Sequence, residues 1–133
     1  MLDRSFNNIN LYKKSMDASW LRNKAISNNI ANVNTPGYKR QVVNFDDVLR
    51  GYIEGTGPVR LNKTNAMHMD GPGMSLDPTV STVKDTAFRE DGNNVNIDIE
   101  MAERTKNEIR YQALANKMTG TFNNLRTAIK GGR

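Results

Sequence analysis

The chain has 133 residues, 37% of them hydrophobic and 7% aromatic, with nineteen Lys and Arg against fourteen Asp and Glu. That is enough for one domain, or for two long helices with an insert, and lean for a compact core. With no Cys and a single His, disulfide scaffolds, thiol catalysis, Cys-based zinc sites and paired-His metal chemistry are excluded or disfavoured.

Residues 1–40 carry seven basic and two acidic side chains. Steps of 3-4-3-4 from Leu2 pass through Ile9, Tyr12, Met16, Asn23, Ile26, Ile30 and Val33, a seam with coiled-coil spacing. A helix of about 30 residues, roughly 45 Å long, is predicted here. Asn23, a polar residue in that seam, is expected to set register. The helix must stop at Asn34-Thr35-Pro36-Gly37-Tyr38. Pro36 disfavours helix at Thr35, and Pro-Gly suits the central positions of a type II turn.

Residues 41–93 hold six of the ten Gly and three of the four Pro, with eight acidic side chains against five basic. This composition predicts an irregular or partly β middle segment. His68 is the one residue suited to neutral-pH proton transfer, and no second His or Cys stands near it. No phosphate-binding loop, dinucleotide fingerprint or nucleophile elbow occurs. The chain is read as no enzyme, with no cofactor and no metal.

Residues 94–133 again carry a basic excess. Asp91-Gly92-Asn93-Asn94 reads as a turn, and 95–101 alternates with period two before a helical spacing takes over near Ile99. Asp98, Glu100 and Glu103 suit a helix N-terminus. Steps of 4-3-4-3 from Ile97 reach Met101, Tyr111, Ala115, Met118, Phe122, Leu125 and Ile129. The expected fold is mainly α, with two long terminal helices in a coiled-coil-like antiparallel pair. The Met residues on these rows are flexible packing groups. Neither row has an obvious third element to cover it, which favours association with other subunits.

Basic and acidic residues interleave rather than cluster, so a nucleic-acid footprint is not expected. No apolar run is long enough to span a membrane. The first residues lack the pattern of a cleaved signal peptide.

Ser27-Asn28-Asn29-Ile30-Ala31-Asn32-Val33-Asn34-Thr35-Pro36-Gly37-Tyr38-Lys39 resembles the N-terminal signature of the bacterial flagellar axial proteins, the rod, hook and hook-associated subunits. Length, the Thr64-to-His68 spacing and the wording of 91–114 resemble the proximal rod proteins within that superfamily. The resemblance implies a structural subunit of the basal-body rod, in a tube that transmits torque and lines the export channel. It implies as partners other rod subunits and further copies of this chain, the rod–ring junction protein and the flagellar export gate. It implies export from the cytoplasm without a cleaved signal peptide, which the lack of Cys suits. Asn28, Asn29, Asn32, Asn34, Thr35, Pro36, Gly37 and Tyr38 carry the signature, and its small polar side chains are expected to allow lateral hydrogen bonds between subunits. Phe45 and Leu49, in Phe45-Asp46-Asp47-Val48-Leu49, resemble the short gate-recognition motif of early export substrates. The same spacing is one helical turn that would pin the middle segment to the helices. Two other readings stand beside this one: another rod or rod-junction subunit, and a basic coiled-coil adaptor for nucleic acid.

Overall fold

The computed structural model describes residues 2–54, 76–84 and 90–131. Helix α1 runs Leu2–Ala31, strand β1 Gln41–Asn44, helix α2 Asp46–Glu54, strand β2 Thr79–Thr82 and helix α3 Ile97–Ile129. His68 and the 64–68 spacing lie outside the described residues.

The terminal helices pair, as the seams predict, and they do so antiparallel. The Asn29 side chain near the end of α1 meets Glu100 near the start of α3, and Asn107 donates to the Ser19 carbonyl further along. Small residues make this approach close. Ser15, Ala18, Ser19 and Ala25 are all buried on α1, with Ile26 and Asn29 beside them.

The inward face of α3 is not the row that periodicity selects. Glu100 and Asn107 bond to α1, and along the same side of the helix Glu103, Leu114, Ala115, Met118, Thr121 and Leu125 are half-buried. Ile97, Met101, Tyr111, Phe122 and Ile129 remain exposed. At 3.6 residues per turn these exposed positions lie about 80° around the helix from the inward row. The predicted seam is therefore split: Ala115, Met118 and Leu125 are half-buried, and Ile97, Met101, Tyr111, Phe122 and Ile129 stay outside. On α1, Asn23 is exposed and sets no register within the pair; the buried amides on the two helices are Asn29 and Asn107.

Helix α3 begins at Ile97, two residues earlier than the alternating pattern suggests. Asn96 caps it from an extended conformation, its side chain accepting from the backbone N–H of Asp98 at 2.9 Å and of Ile99 at 3.4 Å. That bond satisfies donors no helical carbonyl can reach. The middle segment is partly β, as expected. β1 and β2 pair antiparallel, with Gln41 opposite Thr82 and Val43 opposite Val80. Val43 and Phe45 bury against Ala18 and Ala25, with Leu21 and Leu49 packed around them. Helix α2 starts with Asp46 and Asp47 in its first turn, where the macrodipole favours negative charge.

Candidate functional site

The signature turn sits where α1, β1 and the start of α3 converge. Thr35-Pro36-Gly37-Tyr38 forms the expected turn: the Tyr38 N–H donates to the Thr35 carbonyl at 3.3 Å, and Gly37 takes φ of 70°. A side chain at Gly37 would be strained by that angle, whatever the space around it. A second turn crosses it at Gly92, with φ of 79°, and the Gly37 N–H donates to the Asp91 carbonyl at 3.0 Å.

Asn93 joins the two turns. It is fully buried, and its amide nitrogen lies 3.0, 3.1 and 2.8 Å from the carbonyls of Asn32, Val33 and Thr35. Those carbonyls lie just past the last residue of α1, and those of Asn32 and Thr35 also accept the N–H groups of Thr35 and Tyr38. Asn93 thus ties down the chain leaving α1 from sixty residues away in sequence. Lys39 adds a bond from its ammonium to the Gly92 carbonyl at 2.8 Å, and the Arg40 N–H donates to Asn94 Oδ1 at 2.6 Å.

Asn29 is the second centre. It is fully buried and uses both ends of its amide. Nδ2 donates to the Gln41 carbonyl at 2.9 Å and to Glu100 Oε2 at 3.1 Å; Oδ1 accepts from the Gln41 N–H at 2.9 Å and the Tyr38 hydroxyl at 3.2 Å. The carboxylate of Glu100 is 0% exposed and is held by Arg40 Nε at 2.5 Å. A buried charge without such a partner would be costly. Burial, and then the negative charge of Glu100, push the Tyr38 hydroxyl above its ordinary pKa, so it stays protonated as a donor.

The remaining signature residues divide by exposure. Asn32 is half-buried, its amide donating to the Asn28 carbonyl at 2.8 Å, while Asn28, Asn34, Thr35, Pro36 and Gly37 are exposed. Asn29 therefore spends its hydrogen bonds within the chain, and the Asn32 amide donates to a carbonyl of its own helix. Small polar residues serve close approach here, but the helix approached is the chain's own α3. Three participants were not legible locally. Asn93 reads as an ordinary turn residue, Arg40 as half of a basic pair, and Glu100 as macrodipole decoration.

Phe45 and Leu49 occupy a turn of helix, with the Leu49 N–H donating to the Phe45 carbonyl at 2.8 Å. Phe45 is 3% exposed, so the packing reading of this pair holds in the folded chain. The neighbouring Asp46 carboxylate receives Arg22 of α1 at 3.2 Å and Arg110 of α3 at 3.3 Å, tying three helices together. Beside this triad runs an apolar groove of about 330 Å³, lined by Ala18, Phe45, Leu49, Ala113 and Leu114. Asn107, also buried, donates to the Ser19 carbonyl at 2.8 Å, while its Oδ1 has no hydrogen-bond partner.

The other predicted packing residues take three environments. Ile26 is buried; Ile9, Tyr12, Met16, Ile30, Val33, Met118 and Leu125 are half-buried; Tyr111, Phe122 and Ile129 are exposed. Among the described residues no group of His, Asp and Glu is disposed to hold a metal ion. Among them, too, no helix is long and apolar enough to cross a membrane.

Comparison with known proteins places this architecture. A family model described as flagella basal body rod protein matches residues 21–39, which span the last third of α1 and the signature turn. The FlgB basal body rod protein of Bacillus subtilis is 37% identical over 113 residues, covering 85% of each chain. The FlgB proteins of Aquifex aeolicus and Borrelia hermsii are 31% and 32% identical, over 95% and 92% of this chain and 95% of each of theirs. These relatives are structural rod proteins and not enzymes. With that identity carried over almost the whole length, the chain belongs to the FlgB family of flagellar basal body rod proteins.

Proposed function

We propose that the chain is a subunit of the proximal rod, assembling through its terminal helices into the tube that transmits motor torque and lines the export channel. The observation that supports this is the uncovered apolar row of α3. Tyr111 is 42% exposed, Phe122 50% and Ile129 85%, on a helix whose inner face is already occupied. A row of that length in water favours burial against neighbouring subunits. The network around Asn29 and Asn93 serves this role by fixing the angle of the helical pair, so that every copy presents the same faces. The rod–ring junction protein and further rod subunits are the natural neighbours at the ends of such an assembly.

Export through the flagellar gate completes the proposal. Phe45 is buried once the chain folds, so a gate that reads Phe45 and Leu49 must do so on the unfolded chain. Each residue then acts twice, first as a signal and later as core. The test is a strain lacking this chain, with basal bodies imaged and motility scored. Loss of the rod with the chain's absence is the expected result; complete rods in that strain would end the reading. Secretion of a Phe45→Ala/Leu49→Ala variant, quantified separately from assembly, tests the gate signal. Normal secretion leaves these residues as packing alone.

A further inference from the structure

The outer face of α1 and the exposed row of α3 share a spacing. On α1, Asn10, Lys13, Asp17, Trp20 and Lys24 are all exposed and recur at steps of 3-4-3-4. They lie about 180° from the buried row of that helix. On α3, Ile97, Met101, Arg104, Glu108 and Tyr111 are all exposed and recur at 4-3-4-3. Laid antiparallel, the two rows match step for step. Lys13 then stands opposite Glu108 and Asp17 opposite Arg104. Trp20 meets Met101, Asn10 meets Tyr111, and Lys24 reaches Ile97 beside Asp98.

We infer that the outer face of α1 in one copy packs against the exposed row of α3 in the next copy, in this register. The inference rests on the rod reading and names the faces by which copies meet. Charge complementarity selects it: both ionic layers pair opposite signs, and a one-step slip along the row destroys both. Among the described residues none of Lys13, Asp17, Arg104 and Glu108 is within ion-pair distance of an oppositely charged group. The charges sit i and i+4 on each helix, so in contact they form an alternating quartet. Trp20, 64% exposed and with the Lys24 ammonium 5.9 Å from its ring, gains a Met partner, a favourable sulfur–aromatic contact. The overlap is about 22 Å of helix.

The polarity follows. Within one copy α1 and α3 are antiparallel, so an antiparallel α1–α3 contact between copies leaves both copies pointing the same way. The contact is heterologous, each copy using a different face, and such contacts propagate into rings or helical filaments rather than closing a pair. A two-fold pairing of two α3 helices is the competing arrangement. It would set Arg104 against Glu108 and Met101 against Tyr111, and would cap growth.

Cells carrying the full chain with Trp20→Cys and Met101→Cys distinguish the two, because the chain has no Cys of its own. The introduced thiols cannot bridge within one copy. Ser19 lies against Asn107, which leaves Met101 about 9 Å further along α3, and Trp20 faces away from it. Oxidised basal bodies should give a ladder of dimers, trimers and larger species. Arg104→Glu should cut rods per cell about tenfold or more, and adding Asp17→Lys to the same chain should restore them. Motile cells without a ladder overturn the inference. So does rescue of Arg104→Glu by Glu108→Arg in place of Asp17→Lys, together with disulfide-linked dimers from Met101→Cys/Tyr111→Cys. Normal rods in the Arg104→Glu strain, with none in the strain lacking the chain, defeat this interface and leave the rod reading standing.

Discussion

Replacing Asn29 with Ala should be among the most damaging single changes outside the apolar core. The substitution removes four hydrogen bonds at once, to the Gln41 N–H, the Gln41 carbonyl, the Tyr38 hydroxyl and Glu100. Each partner is left inside the fold, and an unsatisfied buried polar group costs about 1–3 kcal/mol. Gln41 and Tyr38 are only half-buried, so water recovers part of that loss. Glu100, with no exposure at all, cannot be rehydrated without opening the helical pair. Taking the low end for each group, the expected destabilisation is about 4 kcal/mol, against a total of about 5–15 kcal/mol for a typical domain. Asn28→Ala is the control. Its side chain is exposed and makes one bond of 3.4 Å to Gln41, so its loss should stay within about 0.5 kcal/mol. Urea unfolding of both variants, followed by helical circular dichroism, should shift the Asn29→Ala midpoint strongly at nearly constant slope. A loss below about 1 kcal/mol, or one equal to that of Asn28→Ala, would refute the claim that this network holds the terminal helices together.

Three further outcomes are expected. Burial pushes the Asp46 carboxyl up, but the attraction and hydrogen bonds of Arg22 and then Arg110 outweigh it and hold the group below 3.8. Its contribution is complete above the unfolded value and is lost as pH falls through the lowered one, so Asp46→Asn should flatten the acid limb of a stability–pH curve below about pH 4; an unchanged limb refutes the triad's role. Asn107→Ala should cost less than about 1 kcal/mol, because losing its bond to Ser19 is offset by removing a buried carbonyl oxygen that lacks a partner; a loss as large as that of Asn29→Ala would contradict this. Phe122→Ala should leave the monomer's unfolding midpoint nearly unchanged, since the ring is half exposed, yet impair rod assembly. Leu125→Ala should lower both, Lys130→Ala neither, and motility with basal-body counts separates the three.

Much of this molecule was legible locally. The 3-4 spacing in residues 2–31 and 97–129 requires helices, because only a 3.6-residue period gathers those side chains on one side. Pro36 and Gly37 require a turn, because one cannot continue a helix and the other tolerates positive φ. The start of α3 was legible only to within two residues, because the alternation of Val95, Ile97 and Ile99 disguised the helix that Asn96 caps. These are near-neighbour effects, and near neighbours are what a linear pattern records.

What the tertiary structure decided was which side of each helix faces inward and what the signature is for. Helix α3 carries two candidate rows: an apolar one, and one that includes Glu100, Glu103 and Asn107. Burial chose the second because Arg40 and Asn29 neutralise and satisfy Glu100, while the small residues of α1 leave room for Asn107. Hydrophobicity alone ranks those rows the other way. The Asn-rich signature likewise acquires its meaning from residues sixty to seventy positions away, where Asn93 holds the turn after α1 and Glu100 receives Asn29. Periodicity reports the shape of a segment; the partners that make a buried polar group affordable are set only when distant segments meet.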